Sequence, residues 1–123
     1  MQNVKQKFKE DFVKRLILFS LRSVKFCSEV RKDRDFYTLA DQLIRSSTSI
    51  GANVVEAKGS GSTKDYARFF DIALKSANET KYWLILLKEA KDDYQLEASA
   101  LLEEANEISK IIGASLLTMR GKR

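Results

Sequence analysis

Gln42, Ser46, Ser49, Asn53 and Glu56 follow one another at spacings of four and three, with Arg45 beside them, and Ser76 and Glu79 repeat the spacing further along. Hydroxyls, amides, a guanidinium and carboxylates on one helical stripe can build a hydrogen-bonded network. They make a catalytic centre only if a nucleophile stands beside a base and an oxyanion hole. The chain has no histidine. A Ser-His-Asp triad, a histidine general base and the Glu-x-x-His ligand pairs of di-iron bundles are therefore excluded. Glu103, Glu104 and Glu107 cluster on one face. Without histidine they read as a solvated helix face rather than a metal site. Cys27 is the only cysteine, so there is no internal disulfide or cysteine-rich zinc site. Among Val24, Phe26 and Val30 it reads as a small core residue. Gly59-Ser60-Gly61 is no phosphate-binding P-loop, because Ser62 and Thr63 separate the last glycine from Lys64 and no strand precedes it.

The second chemistry on offer is phosphate contact. The formal charge is +5, and residues 1–35 hold ten Lys/Arg against five Asp/Glu, so the whole excess lies there. Lys7, Lys14, Arg15, Arg22 and Lys25 fall within about 100° of arc on a helical wheel. Arg120, Lys122 and Arg123 end the chain with a second basic cluster. Asp11, Glu29 and Leu18 interrupt the first face, and it has no aromatic stacking platform.

Helices must carry all of these groups. The chain has 123 residues, 44% of them hydrophobic, no proline and five glycines, enough for one all-α domain over residues 1–123. Periodicity predicts helices at about 3–30, 36–58, 63–91 and 94–119. In the second, Phe36, Ala40, Leu43, Ser47, Ile50, Val54 and Ala57 form an apolar seam. In the third the seam is Tyr66, Phe69, Ala73, Ser76, Thr80, Trp83, Leu87 and Ala90. In the fourth it is Tyr94, Ala98, Leu101, Ala105, Ile108, Ile112, Ser115 and Met119. Gly59–Gly61 and Asp92–Asp93 are the expected turns, and Ser62 with Asp65 resembles a capping box. Gly51 reads as a close helix approach or a slight kink. Short turns predict an antiparallel up-down-up-down four-helix bundle. The apolar arc of the first helix covers about half its circumference, wider than one seam needs, which points to a second partner.

Two readings of the polar stripe stay open. It is a solvent-facing edge, or it is a buried or interfacial network of Gln42, Arg45, Ser49, Asn53 and Glu56 with Ser76 and Glu79. Folding about the glycine turn pairs positions whose numbers sum to about 120. That brings Arg45 near Ser76 and Glu79, and Gln42 opposite Asn78 and Glu79. Glu79 is costly to bury without a partner, which Arg45 or Gln42 would supply.

The pattern Gln42-x-x-Arg45-Ser46-Ser47-x-Ser49-Ile50-x-x-Asn53-Val54-x-Glu56, then Phe69-x-x-Ile72-Ala73-x-x-Ser76-x-x-Glu79, resembles the bacterial four-helix-bundle proteins first noted as products of intervening sequences in large-subunit ribosomal RNA genes. The resemblance covers most of the chain. It implies a small bundle that assembles as a ring-like homopentamer. It extends to the accessory variability determinant of diversity-generating retroelements, a basic pentamer associated with a reverse transcriptase and nucleic acid. Many members follow the motif glutamate with glycine, where this chain has Ala57, and many carry proline at Gly51. The family has no established catalytic residues, so none is carried over.

The leading expectation is a non-enzymatic, oligomeric protein associated with RNA or DNA through Lys7, Lys14, Arg15, Arg22, Lys25, Arg120, Lys122 and Arg123. The competing one is a structural adaptor whose ring scaffolds a protein partner, such as a reverse transcriptase. No cofactor or metal is expected. The charged start and the short apolar runs predict neither a signal peptide nor a membrane span, hence a cytoplasmic protein.

Overall fold

The computed structural model describes residues 3–121, and within them the chain forms four α-helices and no strand. They are α1 (Val4–Val30), α2 (Tyr37–Lys58), α3 (Thr63–Ala90) and α4 (Asp92–Met119), with a 3₁₀ turn at Arg34–Phe36 before α2. Side-chain oxygens cap two of them. Asn3 accepts from the Gln6 amide at 2.7 Å, and Ser62 accepts from the Asp65 amide at 3.1 Å. Each satisfies an amide that the helix leaves without an internal partner. The Asp65 carboxylate does not complete the reciprocal box; its Oδ1 lies 3.7 Å from Arg68.

Asp92 and Asp93 are not the α3–α4 turn. They form the first turn of α4, and Lys91 alone, in extended geometry, separates the two helices. Carboxylates suit that position because the amide end of a helix carries partial positive charge.

α1 packs on α2, α2 on α3, α3 on α4, and α4 closes against α1. Fully buried Leu16, Phe19, Leu43, Ile50, Leu84, Leu87, Leu101, Ile108 and Ile112 fill the interior. Each large apolar side chain so placed contributes about 1.5–3 kcal/mol relative to exposure. Ala40, Ala57, Ala73, Ala77, Ala98 and Ala105 have no exposed surface, and their small side chains let the helix axes approach. Gly51 serves the same end. A methyl group added there would touch Leu16 Cβ at 3.4 Å, the near edge of van der Waals contact, so α1 passes close to this glycine.

From Ala40 to Ala57 the predicted seam of α2 is buried, with Phe36 partly so; the α4 seam is buried from Tyr94 to Ile112. The α3 seam is rotated from the expected one. Phe70, Ala73, Ala77, Thr80, Leu84 and Leu87 face the core. Phe69, Ser76 and Trp83 are half-buried at its edge. The excess arc of α1 stands open: Phe8, Ile17, Leu21 and Val24 are exposed, as is Val55, one turn beyond Gly51 on α2.

Candidate nucleic-acid interface

The basic face of α1 is largely answered by acids of α4. Arg15 donates to Glu104 through two parallel bonds, Nε to Oε2 at 2.7 Å and Nη2 to Oε1 at 2.8 Å. The Glu104 bond raises the Arg15 pKa further above its usual value. Arg22 donates to Glu97 Oε1 at 2.8 Å. Lys7 lies 3.7 Å from Asp11 on its own helix, and Arg120 is paired with Asp71 of α3. Lys14 and Lys25 remain without an acidic partner among the described residues. Lys122 and Arg123 lie outside the described residues. Bringing α4 beside α1 therefore splits the predicted set, because guanidiniums already bonded to carboxylates offer phosphate little net charge.

A different cationic group assembles where the α2–α3 loop meets the first turns of α1 and the last turns of α4. A cavity of about 720 Å³ opens there, lined by Lys5, Lys9, Lys58 and the rings of Phe8, Phe12, Tyr66 and Phe70, and no Asp or Glu side chain of the described residues lines it. Phe8 and Phe12 are stacked with centroids 6.4 Å apart. Tyr66 and Phe70 are stacked at 5.0 Å. The Lys9 ammonium lies 5.4 Å above the Tyr66 ring, and burial raises the pKa of the Tyr66 phenol. Sequence reasoning missed this group because its members come from four separate segments. The only signal was Lys5, Phe8, Lys9 and Phe12 recurring three and four apart at the start of α1.

The polar stripe is a real network with two parts. In the first, Arg45 donates to Gln42 Oε1 at 3.0 Å and is ion-paired with Glu79. The Trp83 indole donates to the same Glu79 oxygen at 3.0 Å. In the second, Asn53 donates to the Ser49 carbonyl at 2.8 Å and Ser76 donates to Ser49 Oγ at 2.9 Å. The Thr80 hydroxyl is shared between Ser46 Oγ at 3.0 Å and the Ser76 carbonyl at 2.7 Å. Pairing runs slightly over one turn further along α3 than a fold about the glycines predicts, since the loop from Gly59 to Ser62 offsets the two helices. Glu56 does not join; its side chain is exposed and makes no hydrogen bond or ion pair among the described residues. Glu79 has its helix-2 partner but is not deeply buried, since 37% of its side chain is exposed. Ser46 and Thr80, with no exposed surface, are the buried pair instead. Among the described residues nothing activates a hydroxyl: no base reaches Ser49 or Ser76, and Glu79 is held by Arg45.

Other titratable groups have structural partners. Glu107 lies 3.7 Å from Lys110. Cys27 is buried, and loss of solvation pushes its thiol pKa up to about 12, so it carries no thiolate near neutrality. No helix of the described residues is long and apolar enough to cross a membrane.

Three comparisons place this geometry among known proteins. A family model described as 23S rRNA-intervening sequence protein matches residues 9–114. No curated protein matches the chain. A solved structure from Bacteroides thetaiotaomicron VPI-5482, described as a protein with unknown function from the S23 ribosomal protein family, is 30% identical with a TM-score of 0.80; the match covers 85% of this chain and 97% of that one.

Proposed function

The chain belongs to the 23S rRNA-intervening sequence protein family, and from that premise we propose that it is a non-enzymatic, oligomeric, cytoplasmic protein that associates with nucleic acid, RNA foremost. The observation that carries this is the cavity at the α2–α3 loop end, where Lys5, Lys9 and Lys58 converge and no Asp or Glu among the described residues lines the walls. Unpaired ammoniums release condensed counterions when they meet phosphate, and this is the main source of sequence-tolerant affinity. Lys14 and Lys25 extend the surface along α1. Arg15, Arg22 and Arg120 hold the bundle together instead.

The helices run up, down, up and down in this reading. The pairs Arg15–Glu104 and Arg22–Glu97 support it, as partner numbers fall along α4 while they rise along α1. The protein assembles as a ring-like homopentamer through the open apolar stripe of α1. Ile17, Leu21 and Val24, with Val55 of α2, leave a contiguous set of large apolar side chains open to solvent, the kind of patch that marks an interaction surface. The number five comes from the family resemblance. With one chain of 14.1 kDa, light scattering should give about 70 kDa for a closed ring; a single species of one chain's mass at micromolar concentration overturns the assembly.

The functional test is a mobility shift with structured RNA, single-stranded DNA and duplex DNA at low and physiological salt. Affinity should fall steeply with salt. Charge reversal at Lys9 and Lys58 should weaken every sequence alike, and reversal at Lys75 or Lys88 should change little. If nothing binds below about 100 µM, at the weak limit of non-specific affinity, the adaptor reading replaces this one. On that reading the half-exposed Arg45–Glu79–Trp83 group, outside the ring contact, is what a protein partner would touch.

A further inference from the structure

We propose that the loop-end cavity receives one unstacked nucleobase of a single strand, while Lys5, Lys9 and Lys58 hold the phosphates on either side of it; this rests on the nucleic-acid reading above. The walls supply what such a guest requires. Phe12 and Phe70 are almost fully buried and close the floor, and Phe8 is 54% exposed at the mouth. Its exposed face can take a planar group laid against it. The two stacked pairs, Phe8–Phe12 from α1 and Tyr66–Phe70 from α3, bring ring faces of two helices to one opening. Stacking on aromatic side chains is sequence-tolerant because every base has a π-face.

The rim fits a chain of phosphates better than a single anionic head. Its ammoniums come from α1 and from the end of α2, so a backbone can enter past one side and leave past the other. The Lys9 ammonium rests over the Tyr66 ring. A phosphate would draw it outward, and the ring face would then be free for the base. Thr63 and Ser115 also line the cavity, and neither side chain makes a hydrogen bond among the described residues. Their hydroxyls can donate to or accept from a base edge, so any base satisfies them. A lipid carboxylate would use the apolar walls but only one of the ammoniums and neither stacked pair.

The test uses the full chain with an oligouridine strand carrying one 2-aminopurine and a distant anisotropy label. Anisotropy reports association, and 2-aminopurine emission reports where the base sits. The expected result is a change in emission that saturates together with the anisotropy. Phe8→Ala should abolish the emission change and weaken binding about fivefold or more, while Phe8→Tyr restores both. Leu18→Ala, removing a still more exposed apolar residue of α1 that does not line the cavity, should alter neither. Tyr66→Leu provides a second variant should Phe8→Ala lose its helical circular dichroism. If the strand binds but its emission stays that of the free strand, or if neither ring substitution matters, the base lies outside the cavity and the proposal fails while phosphate association stands. An absent anisotropy change overturns both. Displacement of the strand by a long-chain carboxylate, but not by adenosine monophosphate, reassigns the cavity to an amphiphile and also overturns the proposal.

Discussion

Trp83 and Glu79, one turn apart on α3, are joined through the indole N–H and a carboxylate oxygen that Arg45 of α2 also holds. One oxygen thus ties the tryptophan ring to the neighbouring helix. Glu79→Ala should cost about 1 kcal/mol rather than several, since both ionic partners stand partly in water and exposed pairs contribute about 1 kcal/mol or less. A melting temperature lower by about 4 °C follows for a chain of this size. The same variant should red-shift Trp83 emission, and Glu79→Gln, which keeps an acceptor for the indole, should not. A loss above about 3 kcal/mol would mean that the pair is desolvated in solution.

Ser23 Oγ is buried and has no hydrogen-bond partner among the described residues. An unsatisfied buried hydroxyl costs about 1–3 kcal/mol. Ser23→Ala is therefore expected to stabilise the fold by about 1 kcal/mol, seen as a higher urea midpoint at unchanged slope. A lower midpoint would show that the hydroxyl is bonded in solution.

Gly113 sits inside α4 with nothing within 4 Å of an added methyl group, whereas at Gly51 that group meets Leu16 Cβ at 3.4 Å. Replacing glycine by alanine in a helix gains about 1 kcal/mol from propensity alone. Gly113→Ala should show the full gain. Gly51→Ala should show less, and Gly51→Leu should destabilise by forcing α1 away from α2. Equal gains for both alanine variants in thermal melts would contradict the close approach of these helices.

Asp33 accepts from Lys91 Nζ at 3.1 Å, and that bond is the main cause lowering the Asp33 pKa and raising that of Lys91. For the carboxylate, stability is fully present above its unfolded pKa of about 3.9 and is lost as pH falls through the lower folded value. For the ammonium, stability is present below its unfolded pKa of about 10.4 and is lost as pH rises through the higher folded value. Asp33→Asn should flatten the stability profile below about pH 4, and Lys91→Met should flatten it above about pH 10. Identical acid limbs for wild type and Asp33→Asn would remove the pair from the account of stability.

Cys27 should resist alkylation at pH 8 in the native state and react at once in denaturant, because burial holds its thiol pKa up near 12. Above the unfolded thiol pKa of about 8.5 the unfolded chain gives up this proton first, so stability declines there. Native-state labelling as fast as in denaturant would place Cys27 at a surface.

Where a helix alternates small and apolar residues at heptad spacing, as from Ala40 to Ala57 and from Tyr94 to Ile112, the sequence alone specifies the buried line. In α3 it does not. Aromatics flank the line on both sides, and Ala73 and Ala77 win the centre because only small side chains let α2 and α4 both approach. That Arg45 would reach Glu79 was legible because a short loop fixes which helices meet; Ser49 as the partner of Ser76 was not, since the loop offsets the two helices. The fates of Arg15 and Arg22 were not, since their carboxylates lie on the last helix and a helical wheel carries no record of its neighbours. Glu56 shares the spacing of the polar stripe and yet faces solvent, so period alone does not make a contact.

Lys91 is the one residue between α3 and α4 that is not helical. The reversal of the chain there depends on a single pair of backbone dihedrals, and the sequence on both sides favours continuing as helix. Length changes are thus tolerated unequally. An insertion between Gly59 and Ser62 lengthens a loop, but deleting Lys91 would let both halves run on as one rod of about 85 Å, at 1.5 Å per residue. α4 would then find its core only in another copy of the chain, so this one-residue joint is where a domain-swapped dimer would arise.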